Sequence, residues 1–181
     1  MSDKSARDFI PLTIAVLTVS DTRTLSDDRS GDTLCARIKE AGHDLGGREI
    51  VPDDIHAIRR VVQAWIADAT IDVVITTGGT GFTGRDVTPE AVEPLFEKRM
   101  DGFSAVFHRI SYDKIGVSTV QSRATAGVAG GTYIFCLPGS PGACRDAWDG
   151  ILVSQFDYRH RPCNFVEIMP RLDEHLRRGN R

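Results

Sequence analysis

The run Ile71-Asp72-Val73-Val74-Ile75-Thr76-Thr77-Gly78-Gly79-Thr80-Gly81 is apolar in its first half and places three glycines within four residues in its second. Ile71 to Ile75 reads as a strand buried on both faces, because such strands are continuously apolar rather than alternating. The glycines at its end let the backbone take positive φ and approach a ligand closely. Consecutive N–H groups in such a loop form an anion nest, and threonine hydroxyls add donors. The competing reading is a tight turn after a strand.

Strand and helix patterns alternate on both sides of this run. Ile14 to Val19 is a second short apolar strand, followed by a polar stretch from Ser20 to Ser30. A helix is predicted over Gly31 to Ala41, a strand over Arg48 to Val51, and a helix over Ile55 to Ala67. Thr88 is expected to cap a helix led by Pro89 and Glu90. A further helix is expected near Phe103 to Ile110, and strands at Ala124 to Val128 and Tyr133 to Leu137. The turn Pro138-Gly139-Ser140-Pro141-Gly142 leads into a helix over Ala143 to Leu152, and Pro162 to Ile168 is expected to be extended. Trp65 and Trp148 fall on apolar helix faces and are expected in the core. The fold class is therefore α/β, a mostly parallel sheet in a three-layer α/β/α arrangement.

The chain has 181 residues, 41% apolar and 26% charged, with a net charge of −3. These values favour one domain with a sizeable core. Residues 1–10 are expected to form a flexible arm, residues 11–171 the domain, and residues 172–181 a charged tail. The charge gives no footprint for nucleic acid or an anionic membrane. No apolar run approaches the roughly 18–20 residues that span a bilayer. Met1 to Asp8 lacks the pattern of a secretory signal, so a cytoplasmic location is expected. Cys35, Cys136, Cys144 and Cys163 form no C-x-x-C pair and are expected to be reduced. The histidines form no close ligand pair, so no transition-metal site is expected.

Parallel sheets bind ligands outside the carboxyl ends of their strands. Ser20 and Asp21, Val51 to Asp54, Thr76 to Asp86, and Leu137 to Gly142 are the strand-end segments here. Gly79-Thr80-Gly81-Phe82-Thr83-Gly84 formally matches G-x-G-x-x-G. A dinucleotide fold, however, starts its helix inside that motif, and here the helix signal waits until Thr88-Pro89. There is no G-x-x-x-x-G-K-[ST] phosphate loop and no G-x-S-x-G elbow. Asp86 can hold Mg²⁺, orient a nucleophile, or simply favour a helix N-terminus. Asp53 and Asp54 can supply a metal ligand or cap a helix. Arg29 can meet an anion, Asp28 and Ser30 can cap, and Ser122-Arg123 can contact an anion or decorate the surface. The Pro138-Gly139-Ser140 turn, set before a helix, suits phosphate. The residues together describe a phosphate-rich ligand held by glycine loops and flanked by carboxylates.

Several segments resemble, in order, the molybdopterin adenylyltransferase family. They are Val16 to Asp21, Asp28 to Gly31, Val51-Pro52-Asp53, Thr76 to Gly81, Arg85 to Ala91, and Leu137 to Ser140. The resemblance spans about residues 10–170. Gly116 to Ala124, Ala143 to Trp148 and Arg161 to Phe165 resemble its B-type (MoaB) branch. The resemblance implies molybdenum cofactor biosynthesis: adenylylation of molybdopterin by ATP with Mg²⁺, releasing pyrophosphate. It implies that Asp53 and Asp86 are the functional acids and Mg²⁺ ligands. Ser20, Asp21, Thr77, Gly78, Gly79, Thr80, Gly81, Ser122, Pro138, Gly139 and Ser140 would bind molybdopterin or nucleotide. It also implies a homo-oligomer, trimer or hexamer, working with other proteins of the cofactor pathway. Arg85 to Pro89 is kept here, which the resemblance links to catalytic competence. A non-catalytic molybdopterin carrier is the alternative, and a nicotinamide-dependent oxidoreductase rests only on the formal glycine match.

Overall fold

A computed structural model describes residues 7–175. Its strands are β1 (Thr13–Val19), β2 (Asp44–Val51), β3 (Val73–Thr77), β4 (Lys98–Arg99), β5 (Thr125–Ala129) and β6 (Thr132–Leu137). They form one sheet in the order β2-β1-β3-β6-β5-β4. β2, β1, β3 and β6 run parallel, whereas β5 and β4 close the far edge antiparallel. The antiparallel edge has a local cause. Only Gly130 and Gly131 separate β5 from β6, both at positive φ (58° and 89°). Such a two-residue link permits a hairpin and no crossover.

The alternation of side chains along each strand divides the core into two layers. Ile14, Val16, Val73, Ile75, Tyr133, Phe135 and Leu137 face α1 (Arg29–Glu40), α4 (Asp101–Ile115) and α5 (Pro141–Ala147). Ala15, Leu17, Val19, Val74, Ile134 and Cys136 face α2 (Ile55–Ala67) and α3 (Thr88–Val92). This is the expected three-layer, mostly parallel arrangement, and it explains why the strands read as unbroken apolar runs. Phe135 is fully buried, with the rings of Phe103 and Phe156 at 5.1 and 5.6 Å in edge-to-face geometry. Removing that ring leaves a cavity among stiff neighbours. Phe135→Ala is therefore expected to cost about 4 kcal/mol in denaturant unfolding.

Several boundaries differ from expectation for identifiable reasons. The strand expected at Arg48 begins at Asp44, across two glycines. A Cβ on Gly47 would stand 3.2 Å from the Trp65 ring, so the glycine admits a tryptophan rather than breaking the strand. Thr88 is not an N-cap. It is the first residue of α3, and its hydroxyl donates to the buried carbonyl of Gly78 at 2.7 Å. The segment expected to be extended contains a short helix, α6 (Phe165–Ile168). The Asn164 side chain caps it by accepting from the Glu167 N–H at 2.9 Å. The helix expected at Ala143 begins at Pro141, capped by Ser140, and passes through a π turn at Trp148–Leu152.

Residues 1–6 of the expected arm and 176–181 of the expected tail lie outside the described residues. Arg7 pairs with Glu167 at 2.7 Å, and the Phe9 ring lies 5.1 Å from that of His43. His43 is buried, and its Nδ1 accepts from the Leu12 N–H at 3.1 Å. Burial first of all lowers its pKa below the ordinary 6.5. The folded state refuses a proton that the unfolded chain accepts, so stability falls as pH drops through the ordinary histidine value. Melting temperatures between pH 7 and pH 5 are expected to fall less steeply in His43→Gln than in the wild type.

Candidate active site

The chain leaves β1 toward β2 on one side and leaves β3 toward β6 on the other. Helix α2 carries the chain from β2 back past β1 to β3, against the direction taken through α1, so the two helices lie on opposite faces and a crevice opens at the carboxyl ends of β1 and β3. A cleft of about 220 Å³ opens there, lined by Thr18, Ser20, Arg29, Thr77, Gly78 and Gly139, among others.

Three turns form its wall, and each is lashed to the next. Gly78 and Gly79 lie at φ +103° and +67°. A Cβ on Gly78 would stand 2.2 Å from the Val19 carbonyl oxygen, and one on Gly139 would stand 3.1 Å from the Gly78 Cα. The Gly78 N–H donates to the Leu137 carbonyl at 3.0 Å, and the Thr77 hydroxyl to the Pro138 carbonyl at 2.9 Å. The Ser30 hydroxyl donates to the Gly139 carbonyl at 3.0 Å, tying α1 to the same turn. Asp28, buried, caps α1 by accepting from the Gly31 N–H at 2.9 Å, and also accepts from the Thr18 hydroxyl and Arg48. Among the described residues, the N–H groups of Gly79, Thr80, Gly139 and Ser140 have no acceptor. Unspent donors on a preset backbone suit an anion.

The two candidate acids stand against this wall. A Cβ placed on Gly79 would lie 3.0 Å from Asp53 Oδ1, and one on Gly81 would lie 2.8 Å from Asp86 Oδ2. Burial, then the charges of Asp21 and Asp86, pushes the Asp53 carboxyl above its ordinary value, with Arg85 pulling the other way. Asp86 is held below its ordinary value, first by the Thr83 hydroxyl, which donates to Oδ2 at 2.6 Å. Asp86 Oδ2 also accepts from the Thr83 N–H at 2.8 Å. The neighbouring Asp54 is the helix cap, accepting from the Ala57 N–H at 2.7 Å. Asp53, which caps nothing, is left facing the loop. Among the described residues, no group of three or more His, Cys, Asp or Glu is arranged to enclose a metal ion. The four cysteines are free thiols, and burial raises Cys136 and Cys144 to about 12 and about 11.

The structure thus gathers Ser20, Asp21, Asp53, Thr77 to Gly81, Asp86, and Pro138 to Ser140 around one rim. Ser20 organises its own turn by accepting from the N–H groups of Thr22 and Arg23, both at 3.2 Å. The Ser140 hydroxyl accepts from the Ala143 N–H at 3.1 Å. Ser122 lies apart. Among the described residues its buried hydroxyl has no partner, and it lines a separate hollow with Ser104 and His108. Its neighbour Arg123 is the residue that sequence reasoning undervalued. The Arg123 N–H donates to the Thr80 carbonyl at 2.9 Å. Its guanidinium donates to the Gly81 and Asp86 carbonyls at 2.8 and 2.9 Å and to the Glu90 carboxylate. It fixes the glycine loop from behind.

Comparison with known proteins identifies the family. A family model described as "Probable molybdopterin binding domain" matches residues 15–158. The chain is 51% identical over 158 residues to the "Molybdenum cofactor biosynthesis protein B" of Escherichia coli (strain K12), covering 87% of this chain and 93% of that protein. It is 39% identical over 140 residues to the "Probable molybdopterin adenylyltransferase" of Methanocaldococcus jannaschii, covering 74% of this chain and 83% of that protein. A crystal structure of Molybdenum cofactor biosynthesis protein B matches with a TM-score of 0.83 and 38% identity, covering 93% of this chain and 99% of that one. A rim of anion-ready turns at the sheet's switch point, joined to these matches, places the chain in the molybdopterin-binding domain family, on the branch of molybdenum cofactor biosynthesis protein B.

Proposed function

We propose that the protein is a molybdopterin adenylyltransferase that uses ATP with Mg²⁺. The observation that carries this reading is the meeting of unspent backbone donors with two carboxylates at one strand-end crevice. A terminal phosphate oxygen of molybdopterin attacks the α-phosphorus of ATP. The bond from that phosphorus to the α,β-bridging oxygen breaks, pyrophosphate leaves, and adenylylated molybdopterin remains.

The chain's part is positioning and charge placement, which suffice for transfer to phosphorus without a protein nucleophile. The N–H groups of Gly79, Thr80, Gly139 and Ser140 hold phosphate oxygens where charge develops. Arg123 and Thr88 keep the loop rigid, so no reorganisation is needed at the moment of reaction. Asp53 and Asp86 fit Mg²⁺, because that ion is usually held by one or two carboxylates, with phosphate and water completing its shell. When bound, it would neutralise phosphate charge and stabilise the leaving pyrophosphate. The raised Asp53 fits such a place: burial and then the charges of Asp21 and Asp86 disfavour its ionised form, and a cation would offset both.

We read residues 11–171 as one molybdopterin-binding domain, since a single sheet organises both core layers. A homo-oligomer would cover the exposed Val106, Tyr112, Ile115, Val117 and Val120 of α4 and the turn after it. A cytoplasmic setting suits a pathway of small pterins and nucleotides. Among the described residues, no helix is long and apolar enough to cross a membrane. The test is turnover: purified protein with molybdopterin, ATP and Mg²⁺ releases pyrophosphate and forms adenylylated pterin. Tight pterin binding without pyrophosphate would instead identify a carrier.

A further inference from the structure

Arg85 makes a contact that the fold does not need. Its side chain is 66% exposed, at the outer turn of the glycine loop. It reaches across to Asp21 on the loop after β1, with Nε donating to Oδ2 at 2.9 Å and Nη2 to Oδ1 at 2.7 Å. Asp21 belongs to the rim, because its Oδ1 also accepts from the Asp53 N–H at 3.1 Å. The guanidinium is thereby parked beside the acids.

First, an ion pair between two water-exposed groups contributes little to stability. The loop is already fixed from behind by Arg123 and Thr88. Second, the planar guanidinium grips a carboxylate with the same two-pronged geometry that it uses on phosphate. Third, Asp21, Asp53 and Asp86 place three carboxylates where a polyphosphate must come, and one divalent ion does not balance that charge.

We propose that Arg85 is a polyphosphate-binding residue, which exchanges the Asp21 carboxylate for oxygens of the β- and γ-phosphates when the nucleotide arrives. Asp21 is the placeholder that keeps the guanidinium within reach. The inference rests on the adenylyltransferase reading and deepens it. The same fork then holds the leaving pyrophosphate, so the product competes with ATP through Arg85.

Calorimetry of the full chain with Mg·ATP, and separately with magnesium and inorganic pyrophosphate, tests this without needing turnover. Arg85→Ala is expected to weaken both roughly 10- to 100-fold, with molybdopterin affinity unchanged within about twofold. Arg85→Lys keeps the charge but loses the fork, and falls between. Asp21→Asn weakens the competing acceptor and tightens pyrophosphate binding by roughly threefold. Equal binding by wild type and Arg85→Ala would overturn the assignment and leave a surface ion pair. Unchanged or weaker pyrophosphate binding by Asp21→Asn would overturn the placeholder role. A wild-type protein that binds molybdopterin but neither ATP nor pyrophosphate would overturn the adenylyltransferase reading, and this inference with it.

Discussion

Asp86→Asn is expected to slow pyrophosphate release by about 10²–10³-fold while leaving molybdopterin bound. The substitution is close to isosteric and keeps an oxygen where Asp86 Oδ2 now accepts from the Thr83 N–H and hydroxyl, so the loop retains its anchor. The carbonyl of residue 86 still accepts from Arg123. What is lost is the negative charge, and with it the ligand that Asp86 would offer the cation in the adenylyltransferase reading proposed above. The melting temperature should therefore stay within about 2 °C, since no buried group is orphaned. Steady-state pyrophosphate release, read beside calorimetric pterin affinity, separates the two effects. A rate within threefold of wild type would remove Asp86 from the reaction.

Gly78→Ala is expected to be the most damaging single methyl group in the site. The added carbon would stand 2.2 Å from the Val19 carbonyl oxygen, at a backbone φ of +103°. Both obstacles are backbone, so no side-chain rotation relieves them. Left-handed strain alone costs about 1–3 kcal/mol, and the clash adds to it. A loss of at least about 3 kcal/mol corresponds to a melting temperature lower by roughly 10 °C in a chain of this size. Moving Gly78 also disturbs the bonds to Leu137 and Thr88, so β6 and α3 lose their tie to the loop, and pterin binding should go with it. Gly84→Ala is the control: no atom lies within 4 Å of the added carbon, and its effect should be within about 0.5 kcal/mol. Similar stability of the two variants would refute the claim that the loop is preset by its glycines.

The contrast between Gly78 and Gly84 also shows what a sequence reveals. Three glycines at the end of an apolar run mark a special loop, but not which of them is pressed against Val19. Strands β1, β3 and β6 were legible because burial on both faces leaves continuous apolar runs, and α2 because Ile58, Val62 and Trp65 repeat at helical spacing. Those strands also located the crevice, since ligand sites in such sheets follow from strand direction. Less was legible where one residue serves two purposes. Gly46 and Gly47 look like a loop yet lie in β2, because Ile71 and Thr13 fill the space beside Gly46 and Trp65 fills that beside Gly47. Thr88 looks like a cap yet spends its hydroxyl on Gly78, ten residues back in the chain. Arg123 looks like surface decoration, because its carbonyl partners at Gly81 and Asp86 become neighbours only after the sheet has formed. Among the acids, Asp53 and Asp54 were equivalent by local sequence. The turn into α2 separates them, giving the cap to one and the rim to the other.

The most direct test is a crystal structure of this protein with molybdopterin, Mg²⁺ and a non-hydrolysable ATP analogue. Phosphate oxygens should lie within hydrogen-bonding distance of the N–H groups of Gly79, Thr80, Gly139 or Ser140, with the metal bound to carboxylate oxygens of Asp53 or Asp86. Density for either ligand at another edge of the sheet, with the crevice between β1 and β3 filled only by solvent, would contradict the account.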